Sequence, residues 1–269
     1  MNRVNEKRNG RFSTFLSQYQ LILFFVLTLM VSTGIAAIAV RINNEDITIL
    51  TVFTPTIIAF VLTVLSSGKS GLHNLFVKQT TQRIKIPWLL VALLLFPILA
   101  VIAIVLYAQF GGAPLALRST EIFPQMLLIL LIALGEEYGW RGFALPKLQQ
   151  KQNALVASLI LGLVWGFWHF PGYLLGVGVP LEMTFDLFMV WVIGTTVLMT
   201  WVYNNTHSVL MAILMHMSAN AAFNYLELLP EFTGSMFTFG IFLGLVWLFA
   251  ILVIVLFGTS TLTRQLTDA

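Results

Sequence analysis

Three ionisable side chains, Glu136, Glu137 and Arg141, fall in the run Leu-Gly-Glu-Glu-Tyr-Gly-Trp-Arg-Gly-Phe, which continues directly from the apolar stretch Phe123 to Leu134. A charge near the middle of a bilayer costs roughly 2.5–3.5 kcal/mol on insertion scales, so such residues face a protein interior or a watery cavity and carry function. On a helix, Glu137 and Arg141 are spaced i, i+4, share a face and form an ion pair. Glu136 points about 100° away and is not matched by that arginine in the same way. An uncompensated carboxylate in an apolar setting suits a general acid or base.

Three more polar residues interrupt other apolar segments: His169, just before Pro171, and His216 with Asn220, again i, i+4. Amide hydrolysis needs an activated water and a stabiliser for the oxyanion. A Glu and a His activate water, and a His and an Asn side chain donate to developing negative charge. The chain has no cysteine, which removes thiol nucleophiles, disulfides and thiolate metal sites. Ser158 and Ser218 fall on apolar segments, where small hydroxyl residues mediate packing. A metal alternative uses the same groups: Glu136, His169 and His216 could hold Zn²⁺ with one open position. The HExxH zinc signature is absent, and no cofactor is the favoured reading.

The elements that must position these groups are apolar. The 269 residues are 58% hydrophobic and 9% charged, with mean hydropathy +0.91, against about 25% charge in soluble domains. This is the composition of an all-α polytopic membrane bundle of about eight transmembrane helices. The expected spans are Leu21–Val40, Ile47–Leu65, Pro87–Tyr107, Ile122–Phe143, Ala154–Phe170, Phe185–Tyr203, Ser208–Leu226 and Phe237–Phe257. Breaks carry turn chemistry: Ser67 to Gly71 closes the second span, Gly111-Gly112-Ala113-Pro114 follows the third, and Pro171-Gly172 ends the fifth. Pro97 is expected to kink the third. Leu21–Val40 is too long for a signal h-region and reads as a retained first helix.

Along such helices, at ~1.5 Å per residue, Glu136 and His169 lie about 22–24 Å above the inner loop and His216 and Asn220 roughly 14–20 Å above it. These levels allow the four groups to meet.

Charge placement orients the bundle. With the N-terminus inside, inner segments hold Arg3, Lys7, Arg8, Arg11, Lys69, Lys78, Arg83, Lys85, Lys147, Lys151 and Arg264, eleven of the fourteen basic residues. Outer segments hold Arg41 and Arg118, with Glu45, Asp46, Glu121, Glu182, Asp186, Glu227 and Glu231. The Lys/Arg bias places both termini in the cytoplasm. The net charge of +3 belongs to these loops and does not indicate nucleic-acid binding. The stretch Lys69–Lys85 reads as an ordinary positive-inside loop.

Glu136-Glu137-Tyr-Gly-Trp-Arg141 resembles the EExxxR motif of the CPBP family, the CAAX proteases and bacteriocin-processing enzymes also called the Abi family. Trp165-Gly-Phe-Trp-His169 resembles its FxxxH motif, with Trp in place of the usual Phe, and His216-Met-Ser-Ala-Asn220 resembles HxxxN. The resemblance spans about Ile122 to Phe223. It implies Glu136 and His169 as water activators, His216 and Asn220 as an oxyanion hole, and Glu137 and Arg141 as supporting residues.

The resulting expectation is a cytoplasmic segment over 1–19 and a bundle over 20–260 with its catalytic core at about 122–226. The expected function is an intramembrane endopeptidase acting on a membrane-associated peptide or protein, in a membrane whose short-looped protein suggests a bacterial plasma membrane. The alternatives are a membrane transporter or proton-coupled carrier, which buried Glu and His also serve, and a non-catalytic bacteriocin-immunity protein.

Overall fold

The computed structural model describes residues 2–82, 84–112, 114–118 and 122–264. Arg83 and Glu121, and the side chains of Arg3, Lys7, Arg8 and Arg11, lie outside the described residues. The chain is a polytopic bundle of helices: α1 (Asn2–Ile42), α2 (Thr54–Leu72), α3 (Ile86–Gln109), α4 (Ile122–Glu137), α5 (Ala154–Trp168), α6 (Phe185–Thr206), α7 (Val209–Tyr225) and α8 (Met236–Phe257). Among the described residues, seven helical segments are long and apolar enough to cross a membrane. The eighth expected span is α7, whose 17 residues make a rod of about 26 Å. It packs mainly against α3 and α4, and its ends reach opposite ends of the bundle, where Val209 N–H donates to Gln79 and Arg118 N–H donates to Tyr225 O.

The bundle is apolar inside and out. Phe96, Leu161, Leu198, Met199, Met211 and Phe239 are buried, while Ile98, Val105, Leu248 and Val255 are exposed. Side chains of that kind on the outer surface suit lipid rather than water. Polar groups at helix ends are satisfied by other parts of the chain, as an apolar surround requires. Asn153 caps α5 by accepting from Val156 N–H at 2.9 Å. The free N–H groups of Ala154 and Leu155 donate to Ser260 O and Thr259 O, just beyond α8. Gln149 and Asn204 exchange side-chain hydrogen bonds at 3.0 and 2.8 Å.

Several boundaries differ from the sequence expectation. α1 begins at Asn2, so helix continues through most of the segment expected to precede the bundle. Pro97 lies inside α3, as expected. Gly68 does break α2, with φ 57°, but helical turns resume to Lys78. Lys69–Lys85 is therefore no simple loop: Leu75 is buried in the core, and Gln79 Nε2 donates to Gly142 O at 3.1 Å.

The largest difference lies beside the charged motif. α4 stops at Glu137, and Tyr138–Ala144 winds as a π-helix before Leu145–Gln149 returns to α. Such wide turns are rare and occur frequently at functional sites. Close packing accompanies it. A Cβ on Gly135 would lie 2.7 Å from Val52 O, and one on Gly139 2.5 Å from the Pro55 backbone. The spacing Gly135-xxx-Gly139 is a sequence signal for such close helix approach. Gly162-xxx-Gly166 does the same between α5 and α6, with Ile193 Cα 3.0 Å from a Cβ on Gly162.

Gly139→Val is expected to lower the thermal unfolding temperature of the detergent-solubilised protein, by the ~1–3 kcal/mol typical of overpacking. Gly240→Ala, where nothing lies within 4 Å, should leave it unchanged. Equal melting of Gly139→Val and wild type would show that the contact between α2 and the π-turn is not tight.

Candidate active site

Glu137 and Arg141 are fully buried and joined at 2.9 Å, Arg141 Nη1 donating to Glu137 Oε1. The pair forms even though Arg141 lies on the π-helical turn rather than on the α-helix assumed from its spacing. The same carboxylate oxygen accepts from His216 Nδ1 at 2.8 Å, and Arg141 Nη2 approaches Thr196 Oγ1 at 3.5 Å. Thr196 spends its own proton on Val192 O at 2.7 Å, which leaves its oxygen free to accept. One buried chain of contacts thus joins α7, α4, the π-turn and α6.

Glu136 turns the other way. Its Oε2 accepts from Trp165 Nε1 at 2.7 Å, and its side chain lines a cavity of about 510 Å³. His169, His216 and Asn220 line the same cavity. His169 caps the end of α5, where the chain turns into the short helix Phe170–Leu174. Its Nδ1 meets Trp165 O at 2.8 Å. A carbonyl only accepts, so Nδ1 carries the proton and Nε2 of the neutral ring is a proton acceptor. Trp168 and Phe188 stand edge-on to that ring, with centroids 4.7 and 5.0 Å away. The carbonyl of Asn220 accepts from Asn224 Nδ2; its carboxamide has no hydrogen-bond partner among the described residues.

Trp165 stands where the FxxxH motif carries Phe. In the fold its indole N–H holds Glu136, its carbonyl holds His169, and its ring meets Arg141 and His216. The Arg141 guanidinium lies 4.2 Å from the ring centroid and the His216 ring 5.4 Å away, edge-on. The departure from Phe is visible in the sequence, but nothing there places the N–H against Glu136, 29 positions away.

The structure therefore brings all four candidate residues to one hollow, with Glu137 and Arg141 packed behind it. The three side chains offered as a zinc alternative do not form a metal-holding set: among the described residues no three His, Cys, Asp or Glu side chains come together in that way.

Comparison with known proteins covers this constellation. Residues 118–222, which include every residue from Glu136 to Asn220, match a family model described as type II CAAX prenyl endopeptidase Rce1-like. Over these residues the chain is similar to the type II CAAX prenyl endopeptidases. It is also 29% identical over 184 residues to a protein of Methanococcus maripaludis named CAAX prenyl protease 2, covering 62% of this chain and 67% of that one. The family match thus includes α4 from its first residue, the π-turn, α5, α6 and most of α7.

Breaking a buried pair from one side costs about 3–5 kcal/mol, because a charge is left uncompensated. Arg141→Met and Glu137→Met are each expected to destabilise the protein on that scale in thermal unfolding. The double variant should lose less than the sum; strict additivity would mean that the two groups are not coupled.

Proposed function

We propose that this protein is an intramembrane endopeptidase that hydrolyses a peptide bond in a membrane-associated peptide or protein, without a metal. The observation that carries the reading is the shared hollow: Glu136, His169, His216 and Asn220 line a single cavity inside an apolar bundle.

A water held between Glu136 and the Nε2 of His169 gives up a proton as its oxygen attacks the scissile carbonyl carbon. The carbonyl oxygen becomes an oxyanion and takes hydrogen bonds from the Asn220 amide and from His216. Nδ1 of His216 is committed to Glu137, so this ring donates through Nε2 only as an imidazolium. Glu137 is placed to hold that cation, and Arg141 holds Glu137 in position. The proton taken from water passes to the leaving amine, which completes the hydrolysis. Similarity to the type II CAAX prenyl endopeptidases over residues 118–222 supports this class of reaction. The residue roles rest on the geometry and on the resemblance of the three motifs.

The test is cleavage by purified protein in detergent or liposomes, with substrates found by comparing peptide termini in cells carrying wild type or Glu136→Gln. Glu136→Gln and His169→Ala are expected to lower kcat by about 10²–10⁴, and His216→Ala and Asn220→Ala by about 10²–10³. Trp165→Phe keeps the ring but removes the donor to Glu136, and a loss of about 10–10²-fold, of the size of one hydrogen bond to a carboxylate, is expected. A chelator should leave the rate unchanged. Undiminished cleavage by all four site variants would overturn the reading, and loss of activity on chelation with recovery on added Zn²⁺ would overturn its metal-free form.

A further inference from the structure

We infer that the cavity opens on the extracytoplasmic side of the membrane and receives neutral or basic peptide segments there. The chemistry rests on the proteolytic reading above, but the direction of the opening does not.

The polar floor of the cavity is buried, with Glu136 and His216 at 2% and 6% exposure. Its exposed lining residues lie at one end: Glu45, Asp46 and Ile49 in the 3₁₀ segment Glu45–Phe53, and Gly178 in the turn before α6. From that end α2 runs away to Lys69, and the helical stretch that begins at Ile122 runs away to Lys147. Five lysines, Lys69, Lys78, Lys85, Lys147 and Lys151, gather at the far end in short connections, against Arg41 and Arg118 at the end that holds the mouth. Arg118 is tied down, with Nη1 donating to Asn224 O at 3.0 Å and its guanidinium over Phe232. Lys/Arg bias in short connections sets orientation, and acidic residues contribute little. The lysine-rich end therefore faces the cytoplasm and the mouth faces out.

The mouth also selects by charge. Its described lining contains Glu45 and Asp46 and no Lys or Arg. Exposed carboxylates at the entrance of a low-dielectric cleft raise the local concentration of cations and repel anions. An acidic segment is disfavoured at the entrance, and a segment carrying Lys or Arg is drawn in.

Because the chain has no cysteine, single-cysteine variants of the full-length protein read the orientation directly. In intact cells a membrane-impermeant maleimide should label Glu45→Cys and Leu181→Cys, and should reach Lys69→Cys and Lys151→Cys only after permeabilisation. The opposite pattern overturns the inference. In the comparison of peptide termini, those lost in Glu136→Gln cells should lie in extracytoplasmic segments, with Lys and Arg outnumbering Asp and Glu around the cut. Glu136-dependent termini in cytoplasmic segments, or an acidic bias around them, would also overturn it. Labelling from outside with no Glu136-dependent termini would remove the proteolytic reading while leaving the outward mouth in place.

Discussion

A charged pair buried in an apolar bundle organises this molecule. Glu137 and Arg141 are both fully buried, and each would be costly alone. Their mutual bond, the His216 imidazole on the same carboxylate oxygen and the Thr196 hydroxyl beside the guanidinium offset that cost. Making these contacts requires α4, its π-turn, α6 and α7 to meet at one level. The pair therefore acts as a register pin, a role for which buried ionic groups are well attested. The catalytic candidates hang on the same pin: His216 is oriented by Glu137, and Glu136 is its neighbour in sequence.

Small residues make that meeting possible. Gly135 lets α4 close on the 3₁₀ segment, Gly139 lets the π-turn close on the start of α2, and Gly162 and Gly166 let α5 close on α6. In lipid there is little hydrophobic drive between helices, so close van der Waals approach and hydrogen bonds must hold them together. The π-turn at Tyr138–Ala144 follows at once. It changes the winding between Glu137 and Arg141, yet the side chains still reach one another at 2.9 Å. Arg141 is long enough to absorb the difference.

Trp165 links the charged pin to the hollow. One face of the residue serves the supporting groups, through its ring contacts with Arg141 and His216. Its N–H and carbonyl serve Glu136 and His169. The cavity is thus fixed from several directions by one rigid aromatic, which restricts the freedom of both groups proposed to activate water. Preorganisation of this kind is what a hydrolytic site needs, because donors and acceptors must be aimed before charge develops.

Much was legible in the sequence. The apolar composition dictated a membrane helix bundle, since only structures that satisfy their own backbone groups span lipid. The i, i+4 spacing of Glu137 with Arg141, and of His216 with Asn220, followed from helical periodicity alone. The candidate set itself was readable because a polar residue in an apolar span carries a standing cost that demands a reason. Other features depended on which helices touch. The bond from Glu137 to His216 spans 79 positions and that from Trp165 to Glu136 spans 29, and no local periodicity encodes such pairings. The same holds for the π-turn and the restart of helix beyond Gly68, both of which occur where neighbouring segments pack closely. Sequence by itself determined that these groups had to be buried, compensated and near one depth. Only the tertiary structure decided which partner each would take, because that choice depends on contacts made across the bundle.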